Sequence, residues 1–377
     1  MHILIVPSEY PTNDHKLGGI FTKEQETYLK RYHKLGVIYV YLFSVKKLFT
    51  NLFYNILRCK IKNRLFIYYF PRLPYLKYLN YMTHYFFFRK AFEIYIKKYG
   101  KPDLLHVHFS EFAIWTAYKI KNIYNIPYVI TEHSTDFLDG KYEKTYPKKS
   151  KIYKKIHLAF KNAKQIICVS SILKKKIKFL YKLKDSKLSV IPNLSFDSGL
   201  KTVKKVNDLI FVGSFDERKN PILLLEAFKI IYAKKSKMIM IGGGPLRSKI
   251  EEFIEKNKLK NYIKIYPPLN KLSVLKLINK SKILALPSFF ETFGIVVIEA
   301  YSLGVPVVMT DSLGVRDLYN LKSSILIKKK DPKNFAKGLN KLLNNYNKFE
   351  AKKIINFYKK NFSPSVVIDK INSVYKS

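Results

Sequence analysis

Short apolar runs rich in Val, Ile and Leu alternate with helical patterns along almost the whole chain. They cover residues 2–7, 37–44, 104–108, 128–132, 165–169 and 188–191, and then 208–212, 238–242, 263–266, 283–286 and 306–309. Strands that are separated by helices indicate βαβ units and a parallel sheet. Strands buried on both faces of such a sheet have continuous apolar runs rather than alternating ones. The pattern therefore predicts the α/β class.

The two series of runs predict two tandem, doubly wound Rossmann-like domains. Between the series lies a segment without periodicity that contains Pro192, Asn193, Ser195 and Gly199, as a linker does. We place the boundary near residue 198, with a first domain over 1–197 and a second over 198–363. Ligands of doubly wound sheets bind outside the carboxyl ends of the strands. If the domains turn these ends toward each other across a cleft, each functional motif should follow a strand.

The charge of the chain favours anionic partners. The chain has 70 Lys and Arg residues and 27 Asp and Glu residues, which gives a formal net charge of +43 at pH 7. Nucleic acid, phosphoryl groups or an acidic membrane would suit this charge, although the joint abundance of Lys, Asn, Ile, Tyr and Phe also fits a codon bias. The segment 46–98 mixes cations with many aromatic residues. This composition predicts that the first domain rests on an anionic membrane surface.

The same composition argues for a cytoplasmic protein. Cys59 and Cys168 are too few for a disulfide framework or a four-cysteine zinc site. No apolar run approaches the ~18 residues of a membrane span. The first residues lack the basic start of a signal peptide. We expect a cytoplasmic protein, associated peripherally with the inner face of the cell membrane.

Three polar motifs follow strands of the first series. Gly18 and Gly19 permit positive φ and a close backbone approach before a helix, which suits either an anion site or an ordinary loop. His106 and His108 lie on one strand and could be a metal pair, but no third ligand stands at zinc spacing, so structural histidines are favoured. His133 ends the next strand, where a polar side chain has no packing reason to be. We interpret His133 as functional.

In the second series, a strand ends at Gly213 and is followed by Arg218 and Lys219 before a helix that should begin near Pro221. A guanidinium and an ammonium at this place would suit a diphosphate, and a solvated basic turn is the alternative. The glycines at 242–244 lack a Gly-Lys-Ser/Thr ending, which excludes a P-loop. We interpret them as a tight turn between a strand and a helix.

Residues 287–300 carry the strongest signal. Glu291 lies in the loop after a strand, a helix should start near Phe293 and Gly294, and Glu299 falls in its second turn. The free N–H groups of that helix can hold a phosphate, while the Glu299 carboxylate can accept hydrogen bonds from a ribose diol. Burial of Glu299 on an otherwise apolar helix would be costly without partners, so a function is favoured.

Together these motifs resemble the family-four retaining glycosyltransferases of the GT-B fold (glycosyl transferases group 1). The match runs through nearly the whole chain. It comprises Glu-x7-Glu at Glu291 and Glu299, Pro-Ser-x-x-Glu-x-Phe-Gly at 287–294, Gly-Val-Pro-Val-Val at 304–308, Val-Ile-Pro-Asn at 190–193, Arg218 with Lys219, the pair Gly18 and Gly19, and His133.

The resemblance implies transfer of a hexose or N-acetylhexosamine from a nucleotide-diphosphate sugar, with a UDP-sugar favoured, to a glycan or lipid-linked glycan in cell-surface polysaccharide synthesis. The first domain would bind the acceptor and the second the nucleotide sugar, and a C-terminal helix at about 364–377 would pack back on the first domain. The implied catalytic residues are Arg218, Lys219, Glu291 and His133. The implied donor-binding residues are Gly18, Gly19, Gly213, Thr292, Phe293, Gly294 and Glu299.

Three positions depart from the family pattern. Ser214 stands where many relatives have Arg, Gly243 replaces a frequent Asp, and 313–317 is a loose version of a Gly-Gly-x-Pro-Glu turn. These departures bear on the sugar rather than on the diphosphate.

The chemistry expected is a front-face transfer assisted by the leaving phosphate, without metal or other cofactor. No Asp-x-Asp cluster is present, and cations already occupy the role of a metal. A specific nucleic-acid partner is not expected, because no recognised RNA- or DNA-binding motif occurs. The alternative is a non-catalytic, basic nucleic-acid- or membrane-binding protein on the same scaffold, but such a relative would be expected to have lost Glu299 or Lys219.

Overall fold

The computed structural model describes residues 1–12, 18–44, 59–62, 64–73, 76–109, 111–196, 198–231 and 236–377. The chain divides into two compact units, of which the first comprises Met1–Pro192 and Ile368–Ser377 and the second comprises Asn193–Val367. The linker segment from Asn193 onward thus belongs to the second unit.

The first unit is built on an eight-stranded sheet. Its strands are β1 (His2–Pro7), β2 (Lys34–Ser44), β3 (Cys59–Lys62), β4 (Leu65–Arg72), β5 (Leu104–His108), β6 (Tyr128–Glu132), β7 (Gln165–Cys168) and β8 (Leu188–Val190). They lie in the order β3-β4-β2-β1-β5-β6-β7-β8. All neighbours are parallel except β3, which runs antiparallel to β4. The strand order reverses at β1 and β5, which is where doubly wound sheets open a crevice.

Among the described residues of this unit, the helices between these strands are α1 (Ile20–Leu29), α2 (Lys77–Tyr99), α3 (Phe112–Tyr124), α4 (Lys141–Thr145), α5 (Lys151–Asn162) and α6 (Ser171–Tyr181). Both faces of the central strands are covered, since every residue of β1, β5 and β6 is buried. This burial explains the continuous apolar runs in the sequence.

The second unit has a six-stranded, all-parallel sheet. Its strands are β9 (Asn207–Val212), β10 (Met238–Ile241), β11 (Ile263–Tyr266), β12 (Ser281–Leu286), β13 (Val307–Thr310) and β14 (Ser324–Ile327), in the order β11-β10-β9-β12-β13-β14. The helices are α7 (Pro221–Ile231), α8 (Arg247–Lys256), α9 (Lys271–Asn279), α10 (Ile295–Ser302), α11 (Pro332–Asn344) and α12 (Ala351–Phe362). Here the strand order reverses between β9 and β12.

The last helix, α13 (Pro364–Lys376), provides the C-terminal segment of the first unit. Within that unit, the Tyr375 hydroxyl lies 2.6 Å from Nδ1 of His106. The Asn372 side chain likewise bonds the ring of His33 at 2.8 Å. Residues of the chain terminus therefore hold two histidines of the first unit.

The α/β prediction is confirmed, since one sheet is parallel except for β3 and the other is all-parallel. All of the predicted strands are present to within a few residues. The sequence analysis missed β3, β4 and β14. The interpretation of 46–98 as one membrane-facing surface is wrong in part: Phe66 and Ile67 of β4 and Phe88 of α2 are core residues. Residues 46–58 of that segment lie outside the described residues.

No helix within the described part of the chain combines the length and the apolar character that a membrane crossing requires.

Candidate active site

The second sheet opens between β9 and β12, and the loops after these two strands carry most of the predicted site. The loop after β9 runs from Gly213 to Asn220, and the loop after β12 from Pro287 to Gly294. The backbone N–H of Phe289 donates to the carbonyl oxygen of Arg218 at 2.8 Å, which ties the two loops together. The motifs that follow these strands therefore share one crevice edge, as the strand order requires.

Lys219 and Glu291 form an ion pair across this edge. Nζ of Lys219 lies 2.6 Å from Oε1 of Glu291, and the two side chains are 16% and 5% exposed. The Ser288 hydroxyl donates to the same Oε1 at 2.8 Å. A Lys ammonium has three N–H donors, so the bond to Glu291 leaves two for a further anion. The structure thus brings together the predicted cation and the first carboxylate of the Glu-x7-Glu element.

Arg218 is less enclosed than Lys219. Its guanidinium is 3.8 Å from Oδ2 of Asp216, and 37% of its side chain is exposed. Asp216 also accepts the Ser214 hydroxyl at 2.6 Å and the backbone N–H of Lys219 at 2.8 Å. Burial works against ionisation of Asp216, but these hydrogen bonds together with the nearby cations hold its pKa below the ordinary value. Ser214, one of the departures from the family pattern, thus fixes the turn that presents both cations.

Thr292, Phe293 and Gly294 lie immediately before α10, as the sequence predicts. Thr292 is 6% and Phe293 is 3% exposed. Gly294 is the N-cap residue with φ +90°, a conformation that favours glycine. The first N–H groups of α10 have no partner within the helix, so this end favours negative charge.

Glu299 lies in the second turn of α10 and is 6% exposed. Its Oε1 lies 2.5 Å from Nζ of Lys271, the first residue of α9. The partner that burial of Glu299 demands is therefore a lysine that the sequence analysis did not identify. The signal for Lys271 in the sequence was weak, because this residue is one cation among many in a basic chain.

The loop after β13 packs against the backbone of Glu291. Leu313 forms a bridge with Glu291 and has φ +60°, with the N–H of Gly314 donating to the carbonyl oxygen of Ser312 at 2.7 Å. Such a tight turn is strained for a residue with a side chain. A Cβ on Gly314 would stand 2.2 Å from the carbonyl oxygen of Glu291. Close packing of the two backbones thus accounts for this glycine.

The glycines after β10 are a structural turn, as interpreted from the sequence. A Cβ on Gly242 would lie 1.9 Å from the carbonyl oxygen of Gly213, and one on Gly244 would lie 2.6 Å from that of Phe215. The N–H of Phe215 donates to the carbonyl oxygen of Gly243 at 2.9 Å. These residues therefore hold the start of the loop that carries Arg218.

The remaining predicted residues belong to the first unit. Gly19 precedes α1 with φ +60°, and a Cβ there would stand 2.2 Å from the carbonyl oxygen of Glu9. Gly18 beside it is buried in the same turn. Phe21 of α1 places its ring 4.5 Å from the His133 ring, centroid to centroid. The glycine pair thus allows α1 to begin next to His133.

His133 is 7% exposed and belongs to a row of histidines at the ends of β5 and β6. Its Nε2 lies 3.1 Å from Nδ1 of His108. The rings of His108 and His106 are 4.2 Å apart, and Nε2 of His106 lies 2.7 Å from the Thr131 hydroxyl. Glu132 accepts the backbone N–H of His133 at 2.9 Å. These contacts link the predicted functional histidine to the core.

His106 and His108 are buried, hydrogen-bonded histidines, which confirms the structural interpretation. Both are 0% exposed. Burial lowers the pKa of His106 to about 3. Burial, with the neighbouring His106 and His133, lowers the pKa of His108 well below the usual range. Within the described ranges, no group of three or more His, Cys, Asp or Glu side chains is arranged to hold a metal ion.

Two models of known protein families match the chain. Residues 191–360 match the family described as glycosyl transferases group 1, and residues 51–194 match glycosyltransferase family 4. The two matches together cover residues 51–360, and the chain is a glycosyltransferase. It is therefore a transferase of glycosyl groups.

Two curated relatives and one solved structure illustrate the match. An uncharacterized glycosyltransferase of Methanocaldococcus jannaschii is 26% identical over 265 residues, which cover 65% of this chain and 67% of that protein. The capsular polysaccharide biosynthesis glycosyltransferase CapM of Staphylococcus aureus is 27% identical over 245 residues, 57% of this chain and 62% of CapM. The chain thus spans about two thirds of the length of these relatives.

Anabaena HepE, crystallised with UDP, has a TM-score of 0.73 to this glycosyltransferase, with 16% identity and full coverage of both chains. At this identity the likeness shows the GT-B fold alone.

Proposed function

We propose that this glycosyltransferase moves a hexose or N-acetylhexosamine from a UDP-sugar to a glycan or lipid-linked glycan, with retention of the anomeric configuration, in cell-surface polysaccharide synthesis. The observation that carries the proposal is a pair of lysine–glutamate contacts at one edge of the second sheet. Lys219 meets Glu291 at 2.6 Å, and Lys271 meets Glu299 at 2.5 Å. Both pairs follow strands of the second sheet, on the side where α10 begins.

The two pairs suit the two ends of a nucleotide diphosphate sugar. Glu299 accepts hydrogen bonds and can hold the ribose hydroxyls, while its charge is balanced by Lys271. Lys219 and Arg218, with the first N–H groups of α10, can hold the diphosphate. Glu291 would then accept hydrogen bonds from the sugar hydroxyls. Because each carboxylate already has a cation, a dianionic ligand does not face uncompensated negative charge.

The choice of UDP and of a polysaccharide acceptor is supported by the similar proteins. HepE was crystallised with UDP, and CapM is named for capsular polysaccharide biosynthesis.

For the chemistry we propose a front-face transfer in which the leaving diphosphate assists. The main requirement is to stabilise the negative charge that grows on the diphosphate as the glycosidic bond breaks, and preorganised cations and amides do this well. A double displacement would require a carboxylate at the anomeric carbon. Glu132, which ends β6 in the first unit, instead accepts the backbone N–H groups of His133 and Ser134, both at 2.9 Å. Trapping of a covalent glycosyl-enzyme intermediate would contradict this mechanism.

We also propose that the reaction needs no metal ion. The cations Arg218 and Lys219 supply the positive charge that a divalent metal supplies in other transferases. Activity should therefore be unchanged by exhaustive treatment with EDTA. Complete loss of activity that Mn²⁺ restores would show that a metal is required.

The first unit is proposed to bind the acceptor at an anionic membrane surface. Along α2 and the residue before it, Leu76, Leu79, Met82 and Phe86 are 53%, 45%, 36% and 51% exposed. Their spacing of three to four residues places them on one helix face. Nζ of Lys90 lies 4.4 Å from the Phe86 ring centroid. An exposed apolar stripe flanked by lysines is suited to the interface of an acidic bilayer.

Vesicle flotation tests the membrane contact. The protein should float with vesicles that contain anionic lipid and remain unbound with neutral ones. The double substitution Leu79→Ser and Phe86→Ser should weaken flotation, whereas the same change at the exposed Leu321 of the second unit (78% exposed) should not. Equal binding of all three proteins would argue against a membrane role for α2.

The donor is tested by thermal shift against UDP-, GDP- and ADP-sugars, followed by product analysis with the sugar that stabilises most. UDP-sugars should raise the unfolding temperature, and Glu299→Gln should remove the shift. Glu350→Gln is the matched control, because Glu350 pairs with Lys353 but is 54% exposed. Stabilisation by GDP- or ADP-sugars instead would overturn the choice of UDP, and no stabilisation by any nucleotide sugar would overturn the donor site.

A further inference from the structure

A cavity of about 300 Å³ lies at the carboxyl end of the first sheet. It is bordered by the ends of β1 and β4, the later half of β2 and the start of α3, next to the point where the strand order reverses. Ligands of doubly wound sheets bind at such a place. Because ligand pockets measure about 300–1,000 Å³, this one suits a small ligand such as a single sugar ring.

Among the described residues that line this cavity, the charged side chains are Glu9, Arg72 and Glu111. A guanidinium nitrogen of Arg72 lies 3.3 Å from Oε1 of Glu111, and the two side chains are 48% and 39% exposed. His84 lines the cavity as well, but burial lowers its pKa to about 3, so its ring is neutral. The described lining thus has an excess of negative charge, in a chain whose formal net charge is +43.

The surroundings of Glu111 oppose a further negative charge. Partial burial raises the pKa of Glu111 above its ordinary value, and the charges of Glu9 and Asp136 add to this increase, although Arg72 works against it. The carboxylate or phosphate of a ligand would face the same two acids. Arg72 does not offer a separate anion site, because its guanidinium already meets Glu111.

Uncharged hydroxyl groups match these side chains. An ionised carboxylate only accepts hydrogen bonds, and a guanidinium only donates them. A sugar hydroxyl does both, so neighbouring hydroxyls of one ring can donate to Glu111 and accept from Arg72. Tyr39, Tyr41 and Phe112 line the same cavity with aromatic rings, which suit the apolar C–H groups of a sugar ring.

The cavity adjoins His133, the residue that the family resemblance places at the transferred sugar. Ser8 lines the cavity, and its hydroxyl donates to the carbonyl oxygen of Phe109 at 3.3 Å. The ring of Phe109 lies 5.0 Å from the ring of His133, centroid to centroid. Phe109 has φ +62°, a conformation that is rare for a bulky residue. Phe109 thus connects the cavity wall to His133, and a ligand in the cavity would lie close to this histidine.

We propose that this cavity binds the terminal sugar of the acceptor, and that this sugar is an uncharged hexose or N-acetylhexosamine rather than a uronic acid or a sugar phosphate. The inference rests on the proposed function, in which the first unit binds a glycan. Glu111 and Arg72 determine the specificity, because Glu111 accepts from the sugar hydroxyls and Arg72 donates to them. The overall charge of the chain would favour the opposite choice, an anionic acceptor.

The test is ligand-observed NMR on the full chain with methyl glycosides of glucose, galactose, mannose and N-acetylglucosamine, each measured beside a charged counterpart. The counterpart is the uronic acid for the three hexoses and the 6-phosphate for N-acetylglucosamine. Methyl glucoside and methyl glucuronide differ only at C6, so their comparison isolates the charge. We expect at least one neutral glycoside to bind about tenfold more tightly than its charged counterpart, since like charges placed together oppose binding.

Two variants separate the roles of the charged pair. Glu111→Gln should weaken the neutral glycoside about tenfold and reduce its advantage over the charged counterpart. Arg72→Met should also weaken the neutral glycoside, but it should increase that advantage, because the charge that remains is negative. The matched control is Glu93→Gln on α2. Glu93 pairs with Arg89 at 2.8 Å, with 42% and 49% of the two side chains exposed, and this change should leave both affinities unaltered.

Three results would overturn the proposal: tighter binding of the charged counterparts, no binding of any glycoside, or the same affinities in Glu111→Gln as in Glu93→Gln. UDP binding by the same variants, followed by thermal shift, should be unchanged, because the proposed donor residues belong to the second unit. If UDP does not bind while the glycosides behave as expected, the donor part of the proposed function fails and the sugar site in the first unit stands. If UDP binds but Glu111→Gln has no effect on the glycosides, the sugar site fails and the donor part stands.

Discussion

A double-mutant cycle on Lys219 and Glu291 tests whether their contact stabilises the fold, the reaction or both. Lys219→Met removes the ammonium and leaves the Glu291 carboxylate, 5% exposed, with the Ser288 hydroxyl at 2.8 Å. Breaking a buried ion pair on one side costs about 3–5 kcal/mol. Because the Lys219 side chain is 16% exposed and Ser288 remains, we expect the lower end, about 3 kcal/mol in the free energy of unfolding.

Adding Glu291→Gln to Lys219→Met should recover about 2 kcal/mol, since the buried charge is then gone and the amide oxygen can still accept from Ser288. The assay is urea unfolding followed by intrinsic fluorescence. Thermal unfolding provides a check, because about 3 kcal/mol corresponds to roughly 6–12 °C for a unit of this size. Transfer activity should fall by about 10²–10³ in both single variants and should not recover in the double variant, because the cation is still missing.

The matched control is Lys353 with Glu350, the same residue types at 2.5 Å with 57% and 54% of their side chains exposed. An exposed pair is worth about 0–1 kcal/mol, so its cycle should show little coupling. The reasoning is refuted if the losses of Lys219→Met and Glu291→Gln simply add, with a coupling below about 0.5 kcal/mol.

Individual contacts in the structure lead to three further predictions. Gly19→Ala should destabilise the protein more than Gly140→Ala in thermal unfolding, because both have positive φ but only a Cβ on Gly19 meets backbone, at 2.2 Å; equal losses would contradict this. Lys271→Met should weaken UDP binding about tenfold in calorimetry, since Glu299 loses a charge-assisted bond; unchanged affinity would remove Lys271 from the site. For Glu26, burial raises the pKa but hydrogen bonds from neighbouring lysine and tyrosine side chains outweigh it, so the pKa is lowered. The ionised Glu26 carboxylate therefore stabilises the fold above about pH 4.5, and this stabilisation is lost as the pH falls further. Glu26→Gln should be destabilising at pH 7 and nearly neutral at the lowest pH at which the protein remains folded. A loss of stability that does not change with pH would contradict this.

Much of the fold could be predicted because its signals are local. A buried strand needs a short apolar run, and a helix start needs a glycine or a proline at a definite place. Gly294 before α10 and Pro221 at the start of α7 are such signals, and both helices begin where predicted. The strands β3 and β4 were missed because their lysine and aromatic residues blur the contrast between strand and surface. The strand β14 was missed because its apolar run is only part of a strand of 4 residues.

The candidate site was predicted only as a set of motifs that follow strands. Strand order is a property of the whole sheet, and it is this order that places the loops after β9 and β12 at one opening. Residue by residue, the sequence indicated that Glu299 needs a partner but could not say that Lys271, 28 positions earlier, supplies it.

The sequence alone thus determined the class of the fold, the two sheets and the carboxylates and cations that carry the chemistry, because periodicity and residue type are local information. Only the tertiary structure decided which side chains meet: Lys219 with Glu291, 72 positions apart, and Tyr375 with His106, 269 positions apart. The physical reason is that a hydrogen bond or an ion pair depends on the distance between two groups in space. The number of residues between them does not fix this distance, which is set only when the sheets form.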